Sequence, residues 1–154
     1  MSQFNTTVVD YPKKHLIGMK MRTTMEKAAT DCPVLWQTFG PRLESILAED
    51  CQGSYGICVM LDMVNFDYWA AVEYDPSLDL PEGLDRYEIS AGPYARASVP
   101  NLEKMGPAYM YLYEEWPKSQ SGYIINMQAP GFEFYPPNWQ PNEPLEIYVP
   151  LIKA

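Results

Sequence analysis

Tyr55-Gly56-Ile57-Cys58 and Phe132-Glu133-Phe134-Tyr135 fall at matching places when the chain is laid over itself, and that match decides the fold. It divides the 154 residues into two repeats of about 75. Working outward from the first stretch, residues 53–61 and 66–74 read as strands joined by a short turn containing Asp and Asn. A helix is predicted before them over residues 31–48, with Asp31 as N-cap and Pro33 in its first turn. The repeat opens on a strand-like stretch over residues 8–22, interrupted at Tyr11-Pro12. The second repeat returns the same order. Residues 86–99 are strand-like and broken at Gly92-Pro93, and Asn101 caps a helix that runs to Glu115 and is stopped by Trp116-Pro117. Strands follow at 132–136 and 145–151, and the join at 75–83 is polar, with Pro and Gly. Gly40-Pro41 and Gly106-Pro107 lie inside the two helices. Proline there removes a hydrogen bond and crowds the preceding turn, so a kink or a late start is expected.

Each repeat is therefore β-α-β-β, and neither buries both faces of its own sheet. The expected fold is α+β, a duplicated βαββ unit with pseudo-twofold symmetry, antiparallel sheets and two main helices around a central ligand cleft. One domain spans residues 1–154, with repeat one over about 5–76 and repeat two over about 84–154. The overlay makes Gly56 the counterpart of Glu133. One side of the cleft then carries a carboxylate and the other a residue without a side chain.

Glu133 sits in a strand of aromatic character, where a carboxylate is costly unless its charge is compensated. The nearest Lys or Arg residues in sequence are Lys118 and Lys153. A carboxylate walled by rings suits a lipophilic cation: the rings supply apolar area and cation–π attraction, and the carboxylate supplies the counter-charge. The competing reading is that Glu133 points to solvent from an edge strand.

Composition narrows the function classes. With 47% hydrophobic and 14% aromatic residues the chain folds into a globule rather than remaining disordered. The net charge of −9 is spread over both halves, which argues against binding nucleic acid, whose phosphates require a basic face. No apolar run reaches the length of a membrane span, and the N-terminus has no signal-peptide pattern. Cys32, Cys51 and Cys58 lack metal spacing and read as reduced thiols of a cytoplasmic protein. No metal or cofactor is called for.

The aromatic residues are placed by periodicity. Trp36, Phe39 and Leu43 form one stripe of the first helix, and Met105, Tyr109, Leu112 and Trp116 one of the second. Either stripe serves as core; alternatively Trp36, Met105 and Tyr109 cover a pocket between helices and sheet. Strand alternation puts Tyr135 on the face of Glu133, with Phe132 and Phe134 on the other. On the last strand Ile147 and Val149 are assigned to the core, which leaves Tyr148 to line the cleft. Tyr68 is preferred to Trp69 as a wall residue. His15, beside Lys13 and Lys14, reads as a surface residue, and Cys58 lacks a neighbouring base.

Taken together these pieces resemble the effector-binding domain of AraC-type and MerR-type multidrug regulators, the GyrI-like small-molecule-binding family. The matching segments are Pro33-Val34-Leu35-Trp36, Tyr55-Gly56-Ile57-Cys58, Phe66-Asp67-Tyr68-Trp69-Ala70-Ala71-Val72-Glu73, Leu80-Pro81-Glu82-Gly83, Gly92-Pro93-Tyr94-Ala95, Tyr113-Glu114-Glu115-Trp116-Pro117, Phe132-Glu133-Phe134-Tyr135 and Leu145-Glu146-Ile147-Tyr148-Val149-Pro150. The resemblance implies a central cleft in which Glu133 meets the charge of a cationic ligand. It implies Tyr135, Tyr148, Tyr109 and Met105 as further ligand-binding residues, joined from the first half by Trp36, Tyr68 and Tyr55. Two departures stand out. The repeat begins within ten residues of Met1, so no DNA-reading head is expected and no direct nucleic-acid binding. The family's glycine in the strand after Tyr68 is replaced by Ala70 or Ala71, which narrows the cleft.

The resulting expectation is a non-catalytic, stand-alone binding module for lipophilic, cationic small molecules. The alternative is a GyrI-like hydrolase of electrophilic small molecules with Glu133 as general base. A protein partner, as in gyrase-inhibiting relatives, is a third reading, for which no surface is located.

Overall fold

The computed structural model describes residues 4–24, 26–46, 53–62, 64–77, 79–80, 82–119, 122–136, 139–140 and 142–153. Ala48, Cys51 and Pro81, and the side chain of Leu43, lie outside the described residues. The strands are β1 (Thr6–Tyr11), β2 (Lys14–Thr24), β3 (Ser54–Met60), β4 (Asn65–Glu73), β5 (Asp85–Ile89), β6 (Gly92–Val99), β7 (Tyr123–Ile125), β8 (Phe132–Tyr135) and β9 (Leu145–Lys153). Helix α1 is Ala28–Ile46 and helix α2 is Met105–Met110. A π-helical turn (Tyr111–Glu115) and a 3-10 turn (Trp116–Ser119) continue α2.

Strand order is β1-β6-β9-β8-β3-β4-β2-β5, with β7 added to β9. All pairings are antiparallel. Reading outward from the β8–β3 junction, β8, β9 and β6 mirror β3, β4 and β2. This is the duplicated βαββ unit with its twofold between Glu133 and Gly56, which are directly paired. The leading strands are exchanged: β1 of the first repeat pairs β6 of the second, and β5, which leads the second, pairs β2 of the first.

That exchange forces the sheet to curl. Laid flat, β1 and β2 would stand six strand spacings apart, roughly 29 Å. Only Pro12 and Lys13 separate them, and three Cα steps reach at most roughly 11 Å. The sheet therefore bends until its ends approach, giving a half-barrel. Tyr11 of β1 shows the closure directly, because its ring lies 5.1 Å from Phe132 of β8 and 5.0 Å from Tyr148 of β9.

Both faces of the central strands are consequently buried. The inward face holds an aromatic cluster that includes Tyr55, Trp69, Tyr94, Phe132 and Tyr148. On the other face α1 packs Leu35 and Phe39 over Phe66, Tyr68, Ala70 and Val72. The α2 region packs Ala108, Leu112 and Trp116 over Ile147 and Val149 there.

Several local expectations are corrected. Helix α1 begins at Ala28, so Asp31 is not its N-cap; its carboxylate accepts the buried Thr23 hydroxyl at 2.7 Å. Proline does not interrupt α1, whereas the second helix starts late, as expected: a 3-10 turn over Leu102–Lys104 comes first and α2 begins only at Met105. The Cβ of the residue before a proline is part of what crowds it out of helical geometry, and Gly40 before Pro41 has none; Pro33, which follows Cys32 and lies beyond the first turn where it was expected, has no such relief. Pro107 falls in the first turn of α2, where its missing N–H is no loss. The second helical segment passes Glu115 and ends in the 3-10 turn, and β7 is a strand that periodicity did not foresee. Asn101 caps the 3-10 turn Leu102–Lys104 that leads into α2 rather than α2 itself, accepting Lys104 N–H at 3.2 Å.

Candidate functional site

One row of paired residues crosses the four central strands on the helix-covered face: Ala70, Gly56, Glu133 and Ile147. Its centre is the Gly56–Glu133 pair. A Cβ built on Gly56 would lie 2.4 Å from Tyr68 Oη and 2.8 Å from Glu133 Oε1. The absence of a side chain at 56 is what gives the carboxylate and the phenol their place. Ala70, whose methyl shares that face beside Gly56, is one of the two residues, with Ala71, at which the resemblance leads one to expect a glycine.

Glu133 is 3% exposed. Strand β8 lies between β3 and β9, so the edge-strand reading is overturned. The Tyr135 hydroxyl donates to Oε1 at 2.5 Å, Tyr109 donates to Oε2 at 2.8 Å, and Tyr68 donates to Oε1 at 3.4 Å. Behind Tyr68, the Trp36 indole Nε1–H donates to the phenol oxygen at 3.1 Å. No ion pair among the described residues involves Glu133.

Electrostatics follow from this arrangement. Burial pushes the Glu133 carboxyl above its ordinary value, and the bonds from Tyr135, Tyr109 and Tyr68 pull it partly back. Those three phenols are held well above theirs, first by burial and then by the Glu133 charge. They remain protonated donors.

Of the residues expected at the site, Glu133, Tyr135, Tyr109, Tyr68 and Trp36 are brought together. Met105 is half-buried against the same cluster as Trp36 and Tyr109. Tyr148 and Tyr55 are on the opposite face. Tyr148 pairs with Phe132, the two rings stacked 4.6 Å apart, and its hydroxyl goes to Glu146 at 3.0 Å. Tyr55 pairs with Phe134, and its hydroxyl meets those of Tyr11 at 3.2 Å and the Glu73 carboxylate at 3.4 Å. The expectation for Tyr148 treated the core and the cleft as opposite faces; both faces are core, and Glu133 shares its face with Ile147.

Three residues were missed. Cys58 pairs with Tyr68 and so shares its face, and Cys32 lies one turn before Trp36 on α1. Both thiols are free, and burial, then the nearby Glu133 charge, raises them, Cys32 to about 12. They are therefore protonated and weakly nucleophilic. Tyr113 stacks on Tyr109 with centroids 6.4 Å apart while remaining 39% exposed. Alternation from Gly56 and the i,i+4 spacing from Tyr109 were the available signals. Among the described residues no group of three or more His, Cys, Asp or Glu is arranged to hold a metal, and no helix is long and apolar enough to cross a membrane.

A curled antiparallel sheet with two helices over a phenol-held carboxylate defines an effector-binding domain of the GyrI-like kind. The chain belongs to the family of Cass2, the integron-associated effector-binding protein, whose model matches residues 7–151. Among curated proteins it is similar to the transcriptional regulator BrlR of Pseudomonas aeruginosa, 28% identical over 127 residues. That match covers 76% of this chain and 45% of BrlR, so the chain spans about half the length of that relative. Solved structures share the fold. SAV2435 bound to tetraphenylphosphonium superposes with a TM-score of 0.74 at 19% identity, covering 96% of this chain and 94% of that one. The integron cassette protein VCH_CASS2 of Vibrio cholerae gives 0.60 at 18% identity, covering 97% of each chain.

Proposed function

We propose that this domain binds lipophilic, cationic small molecules on the helix-covered face, with Glu133 as the counter-charge. The observation that carries this reading is a 3% exposed carboxylate held by three phenols, in no ion pair among the described residues. A structure that buries a carboxylate in this way holds an unmatched negative charge in a poorly solvated place. A cation surrounded by aromatic faces relieves it, through direct Coulomb attraction and through the rings. The tetraphenylphosphonium held by SAV2435 is a ligand of this class. Tyr135, Tyr109, Tyr68, Trp36 and Met105 are the proposed walls. The free thiols Cys32 and Cys58 suit a reducing compartment such as the cytoplasm.

A hydrolase would need Glu133 to hold and deprotonate a water, and three phenols already occupy its oxygens; this favours binding over turnover. The deciding measurement is a thermal-shift titration of wild type and Glu133→Gln with tetraphenylphosphonium and with neutral triphenylphosphine oxide. Ligand that binds only the native state raises the melting temperature with saturation. Stabilisation by the phosphonium, lost in the variant while any response to the neutral compound persists, is the expected result. Equal losses for both compounds would remove the counter-charge role.

A further inference from the structure

The geometry points to a selection within the cations: the phenol shell favours permanently charged ligands without N–H donors over protonated amines, and Tyr109 sets that preference. This rests on the cation-binding reading above and asks which cations the site admits.

A carboxylate has about four acceptor positions. Oε1 accepts from Tyr135 at 2.5 Å and Tyr68 at 3.4 Å, and Oε2 accepts from Tyr109 at 2.8 Å. Three of the four are filled in a residue only 3% exposed. Tyr68 cannot turn its proton elsewhere at no loss, because its oxygen already accepts from Trp36 Nε1 at 3.1 Å. Tyr135 is fixed by an edge contact with the Trp36 ring, 5.8 Å between centroids. The site therefore offers an incoming ligand the field of a negative charge and the faces of rings, with few free acceptors.

A protonated tertiary amine brings an N–H that must be satisfied once buried. It either goes without an acceptor or displaces a phenol from Glu133, which strands that hydroxyl instead. A quaternary ammonium or phosphonium has no such requirement. Its charge is spread over carbon-bound hydrogens, and these pack on ring faces.

Tyr109 differs from the other two donors in its origin. Tyr135 and Tyr68 are on strands, whereas Tyr109 reaches Glu133 from α2 and is the donor to Oε2 among the described residues. Removing its hydroxyl frees Oε2 while leaving both strand phenols on Oε1.

The experiment is calorimetric titration, at neutral pH, of three biphenylmethyl compounds of one shape: the trimethylammonium, the protonated dimethylamine, and the neutral neopentyl analogue. Wild type should bind the quaternary ion about tenfold more tightly than the amine, about 1.4 kcal/mol. In Tyr109→Phe the amine should gain about tenfold relative to the quaternary ion, closing the gap. Equal binding of the two cations by wild type, both lost in Glu133→Gln, would overturn the selection and leave the cation-binding function standing. Neutral analogue bound as tightly as either cation would sink that function itself. A gap that persists in folded Tyr109→Phe, checked by its melting transition, would remove Tyr109 from the role.

Discussion

Replacing Gly56 by Ala tests whether the site is built around the missing side chain. The new methyl carbon would stand 2.4 Å from Tyr68 Oη, 3.2 Å from Tyr68 Cζ and 2.8 Å from Glu133 Oε1. Ordinary contacts lie near 3.5 Å, so the phenol must retreat by roughly 1 Å. It has little room: Tyr68 is 4% exposed, is packed beneath α1, and is bonded to the Trp36 indole. Overpacking of a core costs about 1–3 kcal/mol. Losing the Tyr68–Glu133 bond adds to this, at the low end of the about 1.5–3 kcal/mol usual for bonds to charged groups, since it is long. A total of about 2.5–4.5 kcal/mol follows, and at roughly 2–4 °C per kcal/mol for a chain of this size the melting temperature falls by roughly 5–18 °C. Circular dichroism melts of Gly56→Ala, with Gly122→Ala as control, measure it. No atom lies within 4 Å of a Cβ at Gly122, so that change should stay within about 0.5 kcal/mol. A Gly56→Ala melt within 2 °C or so of wild type would refute the close-packed picture.

Other outcomes are expected of the same site. Cation affinity should weaken as pH falls through the raised value of Glu133, by about tenfold per pH unit below it, because only the carboxylate form supplies the counter-charge; affinity flat across the acid range would contradict this. Stability has the opposite sign. With the folded value raised, native protein binds the extra proton first, so this group's contribution is full below the unfolded value and is lost as pH rises through the folded one. Denaturant titrations of wild type against Glu133→Gln across that range would reveal the difference. Tyr135→Phe should cost about 1.5–3 kcal/mol at neutral pH and shift the binding midpoint to higher pH, since the bond that holds Glu133 down is lost. Tyr148→Phe, on the other face, should leave cation affinity within about twofold while touching only the bond to Glu146; a larger change would place Tyr148 at the site after all.

Much of this was legible in the sequence because two rules act locally. Alternation along β8 puts Glu133 with Tyr135, and the self-overlay puts Gly56 opposite Glu133, the pairing the structure has. Tyr68 was separated from Trp69 by the same alternation. What failed was the assignment of faces between strands. Whether Tyr148 shares a face with Glu133 depends on the β8–β9 register, and a shift of one residue reverses every side chain. The aliphatic Ile147 and Val149 looked like core because they are core, but so is the site. Asp31 was misread because a strong capping residue sits one turn inside the helix, where Thr23, on another element, claims its carboxylate. The closeness of Cys32 to Glu133 depends on how α1 lies on the sheet, which no spacing along the chain records.

The exchange of leading strands bears on how the chain reaches its native state during synthesis. Thr6 pairs with Ala97, so β1 leaves the ribosome roughly 90 residues before the strand it must join. Its alternating Val8 and Val9, with free backbone groups, wait without a partner while the first repeat assembles. The first repeat in turn pairs β2 with β4 but leaves its outer edge open until β5 arrives. Each half thus withholds the other's closing strand, which makes completion of the barrel a single late event governed by distant pairings. A ribosome that pauses between the repeats would display an open sheet edge, and that is where a chaperone would have most to protect.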